Sequence, residues 1–337
     1  MTEPHPGTPA PSTAVALVRA LTGGLVMATA LGVGTALGPV AADALGLTGF
    51  AARVLPGALV TALAVPLVLL LVRRERRSPA WLGFGGAGAS LRALLTGAGV
   101  TAAAAALVLG AGTAADMLRW SRPEPATLAG FVLTNGAVAF LLEALPEETT
   151  LRGHAWSALR TRFGGTVSAL GTTAVFLLVP GASTVVGAVA TRLVGRDPEP
   201  IGIAPDGQHI ADYLILLTVF GLTLVAARTA LLRAPLWASV GTHLTFLTVN
   251  RIVLEGDRRG AGWHIEQTSP DAVLLVPAYL LVATAGFAVC RRAVRRRGAE
   301  PPRAVAAERP EPSALIGPDE HSVRWRTSCR AASRRRR

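Results

Sequence analysis

The residues best equipped for chemistry fall in one short stretch, Glu143-Ala144-Leu145-Pro146-Glu147-Glu148-Thr149-Thr150-Leu151-Arg152-Gly153-His154. It follows an uncharged apolar run, 126–142, that is long enough to enter a bilayer. An ionised side chain at the bilayer centre costs roughly 2.5–3.5 kcal/mol on insertion scales, so such groups face a bundle interior or a wet cavity. On a helix, Glu148 and Arg152 are i,i+4 neighbours with the acid on the N-terminal side, the favourable order for an ion pair. Glu147 sits about 100° round and is left free, while Glu143 and His154 return to roughly its face. One carboxylate held by a guanidinium and one left over is the arrangement that could activate a water molecule.

These residues must be positioned by membrane helices. Hydrophobic residues make up 51% of the 337, charged residues only 16%, and the mean hydropathy is +0.45. Several uncharged runs of eighteen or more residues, without period-2 alternation, predict spanning helices. Only helices or closed barrels satisfy their backbone polar groups in lipid. The fold class expected is therefore all-α, a polytopic bundle of about eight transmembrane helices with the site inside. The spans are read at 20–40, 54–72, 93–115, 126–145, 166–190, 210–227, 234–254 and 272–289. A break is expected in the fifth at Pro180-Gly181, since proline removes a helix donor. Residues 116–124 read as a polar turn and 255–271 as a polar loop.

The net charge of +12 comes from arginines, with no lysine in the chain. The arginines cluster after the second, fourth, sixth and eighth spans, at Arg73–Arg77, Arg152–Arg162, Arg228–Arg233 and Arg291–Arg297. By the positive-inside rule these ends, and both termini, are cytoplasmic; nucleic-acid binding is the weaker reading. The start of the chain lacks a basic region followed by a short apolar core, so its first apolar run reads as a retained span. Cys290 and Cys329 have no metal-ligand spacing and suggest no structural disulfide. The organisation expected is a disordered N-terminus (1–13), a helical bundle (14–297) with its motif core at 128–254, and a disordered Arg-rich tail (298–337).

Glu147-Glu148-x-x-x-Arg152-Gly153 at the end of a transmembrane helix resembles the first motif of the CPBP family, also called the Abi or CAAX-protease family. That family's second motif is Phe-x-x-x-His and its third a His followed four residues later by Asn. Phe176 and His243 stand in matching order on later spans, and Trp237 precedes Gly241-Thr242-His243 as in the third-motif region. Pro180 stands where the second histidine belongs, and Leu247 where the asparagine belongs. Asn250, seven residues after His243, returns to nearly the same face and is the stand-in for that asparagine. His154 is either a replacement imidazole or, the bland reading, a surface residue on the cytoplasmic face. Glu143 reads as a supporting acid beside the site.

The resemblance implies an eight-helix intramembrane peptidase in a bacterial plasma membrane. Glu147 would be the water-activating base or a metal ligand, Glu148 its partner, Arg152 the lock, and His243 an oxyanion donor or metal ligand. Zinc is implied as one of the two ways of activating water, with Glu147 and His243 as its ligands; a catalytic zinc normally takes three. The partners expected are the bilayer and a membrane-associated peptide or protein substrate, with no nucleic acid. The motif departures carry a second reading, a catalytically impaired family member acting as a membrane scaffold or binding protein. A third is a small-solute transporter with an acidic midplane site, which would show an internal repeat that is not found here.

Overall fold

The computed structural model describes residues 12–205 and 207–299. The ends read as disordered lie outside the described residues, except for 12–13 and 298–299, and so does Cys329. Among the described residues eight long helices make up the bundle: α1 Thr13–Ala44, α2 Gly49–Arg74, α3 Ala87–Ala114, α4 Pro125–Arg160, α5 Gly165–Leu193, α6 Ile210–Ala230, α7 Leu236–Val253 and α8 Leu275–Ala299. All but α7 are long and apolar enough to cross a membrane, which fits the expected all-α polytopic bundle. Ser12 caps α1, its hydroxyl accepting from Val15 N at 3.3 Å.

Four differences from the sequence reading bear on the site. The first is that α4 does not end at the acidic motif but runs on to Arg160, with widened π-helical turns at Phe140–Ala144 and Glu148–Ala155. Pro146, between them, has no N–H to donate back along the helix, and wide turns of this kind recur at functional sites. Hydroxyls answer carbonyls along this stretch: Thr149 donates to Leu145 O at 2.7 Å, Thr150 to Pro146 O at 2.8 Å, and Thr61 of α2 to Leu141 O. The second is that α5 runs unbroken through Pro180. Neighbouring helices and side chains make such a proline tolerable in a membrane.

The third is that the two polar segments pair. Strand β1, Leu118–Trp120, runs antiparallel to β2, Ile265–Gln267, with Leu118 opposite Gln267. Trp120 stacks on Trp263 at 4.3 Å beside this ribbon. The fourth concerns Arg228, read as a boundary arginine. It is only 9% exposed and donates from Nη2 to Leu82 O at 3.1 Å and from Nε to Arg152 O at 3.2 Å. Gly83, at φ +95°, leaves it the room, because a Cβ there would lie 2.7 Å from the guanidinium carbon. A left-handed backbone pressed against a side chain requires glycine.

Helix α1 packs on α2 and α5, α3 on α7, and α8 on α3 and α6. Helices α3 and α7 approach so closely that Gly97 faces the Ala238 carbonyl and Gly241 the Leu94 carbonyl. Small residues at such crossings let membrane helices touch backbone to backbone. This crossing seats α7, and with it His243, against α4.

Candidate active site

The widened turn of α4 points Glu148 and Arg152 inward together. Both are fully buried, with Arg152 Nη1 3.5 Å from Glu148 Oε1, so the expected i,i+4 pair forms. Arg152 also lies over the ring of Phe176 on α5, its guanidinium carbon 4.4 Å from the centroid. Its nitrogens and Glu148 Oε2 make no hydrogen bond to protein. The charges are held by each other and by the ring, in a region where dielectric screening is weak.

His243 of α7 meets this pair. Its Nδ1 is 3.0 Å from Glu148 Oε1, and its Nε2 is 4.0 Å from Glu147 Oε2. Nδ1–H donates to Glu148, which Arg152 also approaches, and Nε2 is turned toward Glu147. Glu147 is 8% exposed and His243 2%, so the acid pair and the imidazole converge out of contact with lipid. Phe220 of α6 sets its edge against the imidazole at 4.9 Å, stacks on Phe246 at 3.8 Å and neighbours Phe176 at 6.2 Å. These rings seal the inner side of the site, and Phe176 serves as a platform for the guanidinium.

The remaining expected residues lie elsewhere. His154 is not on the surface: it is 1% exposed, with Nε2 3.5 Å from Glu75 Oε1, which is itself 3.3 Å from Arg19 Nε. Trp81 packs edge-on against it at 5.8 Å. The continued helix carries His154 inward, and Gly23 of α1 makes room, since a Cβ there would lie 3.1 Å from His154 Nδ1. It belongs to this second cluster rather than standing in for an imidazole of the site. Glu143 is paired with Arg251 of α7, whose Nη1 donates to Asn135 Oδ1 at 3.0 Å. Asn250 accepts from the Tyr279 hydroxyl of α8 at 3.0 Å, so its carbonyl is engaged there rather than at the site. Pro180 is half-buried and gives its carbonyl to Ser183 at 2.7 Å. Arg228, Phe220 and Arg251 were missed as parts of the assembly; their signal, an arginine or aromatic on a spanning helix, does not name a partner.

Residues 129–249 match the family model described as Rce1-like: Type II CAAX prenyl endopeptidase Rce1-like. Over this segment, a little over a third of the chain, the protein is similar to the CAAX-protease family. No curated protein and no solved structure matches the chain. The matched segment runs from α4 to α7 and takes in Glu147, Glu148, Arg152, Phe176 and His243, while Asn250 falls just beyond it. The match thus falls on the helices that build the site.

Proposed function

We propose that this chain is an intramembrane endopeptidase of the CAAX-protease type, in which Glu147 activates a water. The observation that carries the reading is the placing of His243 between the two carboxylates, Nδ1 on Glu148 and Nε2 toward Glu147. A 4.0 Å separation across buried polar atoms is what a shared water would bridge. Glu147 Oε2 takes a proton from that water as its oxygen attacks the peptide carbonyl. His243 Nε2–H donates to the oxyanion, and Glu148, held by Arg152, fixes the ring through Nδ1. When the C–N bond breaks, the proton on Glu147 passes to the leaving amine. Peptide and water together supply the acid and amine products.

The donor set does not fit a catalytic zinc. Among the described residues no group of three or more His, Cys, Asp or Glu side chains could hold a metal ion. Glu148 is already engaged by Arg152 and His243, which leaves Glu147 and Nε2, one short of the three protein ligands such a site takes. No step is therefore drawn through a metal. The scaffold reading is favoured by one observation, Pro180 and Leu247 standing in motif positions. The proposed setting is a bacterial plasma membrane with both termini cytoplasmic and a membrane-associated peptide or protein as substrate.

The test is cleavage of a quenched-fluorescent peptide library by the purified full chain in liposomes, wild type against Glu147→Gln, with zinc content measured on both. The expected result is cleavage by the wild type, a loss of at least about 10³-fold in the variant, and no stoichiometric zinc in either. Equal behaviour of the two proteins removes the peptidase reading and leaves the scaffold.

A further inference from the structure

One donor is missing from the chemistry above. Pro180 stands where a second imidazole would project, and the Asn250 carbonyl is engaged by Tyr279, so neither of these motif positions supplies a second donor beside His243. Helix registers show what else lies beside Glu147. Helices α5 and α6 meet where a Cβ on Gly221 would touch Thr173 Oγ1 and Phe176 Cδ1, each at 3.2 Å. Joined through the loop 194–209, the two helices run antiparallel, so eight residues back along α6 from Gly221 lies level with eight residues on along α5 from Thr173. That puts Tyr213 about level with Gly181, next to Pro180. The short turn 161–164 makes α4 and α5 antiparallel too. Counting five residues from the Arg152–Phe176 contact then brings Glu147 level with the same Gly181.

The direction of the side chain follows from helix periodicity. Tyr213 precedes Phe220 by seven residues, nearly two full turns, so it shares the face that Phe220 turns to His243 and Phe176, about 10 Å further along the axis. It is half-buried. Among the described residues its hydroxyl makes no hydrogen bond, whereas that of Tyr279 is committed to Asn250.

We propose that Tyr213 is a further catalytic residue: its phenol O–H donates to the scissile carbonyl oxygen as that oxygen gains charge, from the side opposite His243. It fills the place that a second imidazole would hold at Pro180. This rests on Glu147 acting as the base, and the tyrosine keeps its proton throughout.

The experiment measures kcat and KM on the best-cleaved peptide of the library for the full chain in liposomes, with Tyr213→Phe, Tyr213→Gln and Glu147→Gln beside the wild type. Loss of one oxyanion donor costs about 10²–10³-fold in kcat. Tyr213→Phe is expected to lose about a hundredfold in kcat, with KM within about threefold. Tyr213→Gln, which keeps an N–H donor on a shorter arm, is expected to recover about tenfold over the phenylalanine variant. A kcat for Tyr213→Phe within about threefold of wild type, a loss confined to KM, or a glutamine variant no better than phenylalanine overturns the proposal and leaves Tyr213 an interfacial anchor. If Glu147→Gln is inert while Tyr213→Phe is wild-type-like, only the tyrosine assignment fails. If Glu147→Gln cleaves as the wild type does, the peptidase reading fails with it.

Discussion

Replacing Arg152 by methionine tests whether the acid pair is held in a dry interior. The arginine side chain has no exposure, lies 3.5 Å from Glu148 and covers Phe176 at 4.4 Å. Without it, Glu148 is a buried carboxylate whose one remaining partner is His243. Removing one member of a buried ion pair costs about 3–5 kcal/mol, because the other charge is left uncompensated. The lost cation–π contact, about 2 kcal/mol when desolvated, is part of that figure. Glu148→Gln alone strands the guanidinium and is expected to cost a similar amount. The double variant, Arg152→Met with Glu148→Gln, removes both charges, fills the space with a flexible apolar chain and keeps an acceptor for His243 Nδ1–H. It is expected within about 1–2 kcal/mol of the wild type. The assay is reversible unfolding of the full chain in mixed detergent micelles, followed by tryptophan fluorescence. Two results refute the reasoning: a cost below about 1 kcal/mol for Arg152→Met, or single costs that simply add in the double variant. Either would mean the pair is solvated.

Two further substitutions probe the frame around the pair. Gly241→Ala would set a Cβ 2.9 Å from the Leu94 carbonyl carbon and 3.0 Å from Ala98 N, forcing α7 off α3 two residues before His243. A cost of about 1–3 kcal/mol is expected in the same unfolding assay, with a larger proportional loss of peptide cleavage. Pro180→His restores the imidazole of the family's second motif on a helix level with Glu147 and returns an N–H donor to α5. Cleavage of the library's best peptide is expected to rise about tenfold, a modest share of what a well-placed acid–base group supplies. An unchanged rate would place the position 180 side chain away from the reacting atoms.

What the sequence disclosed depended on how local each interaction was. The Glu148–Arg152 pair was legible because its spacing alone places the partners together, and the helices were legible because each apolar run declares its own span. His243 could be joined to the acids only through the order of motifs, since 95 residues separate it from Glu148. His154 was misjudged because nothing in its neighbourhood along the chain announces Glu75 or the space at Gly23. Arg228 looked like a boundary arginine for the same reason, its acceptors being the carbonyls of Leu82 and Arg152, 146 and 76 residues away. Asn250 returned to the right helical face by periodicity, yet Tyr279 of α8 holds it. The ribbon β1–β2 was invisible because three-residue strands carry no alternation to detect.

The helix that least resembles a membrane span is the one that carries the site histidine. Helix α7 is long enough to cross, but His243, Asn250 and Arg251 make it too polar to stand against lipid by itself. Each of those three residues has an answer on another helix: Glu148 for His243, Tyr279 for Asn250, and Glu143 with Asn135 for Arg251. Three of the four answering residues lie on α4, whose own charges would be equally costly in lipid without α7. The two helices therefore neutralise one another, and the apolar helices around them supply the contact with the bilayer. A polar site of this kind sits between mutually dependent helices rather than on one of them. That explains why the acids and the histidine, each costly in lipid alone, converge inside the bundle.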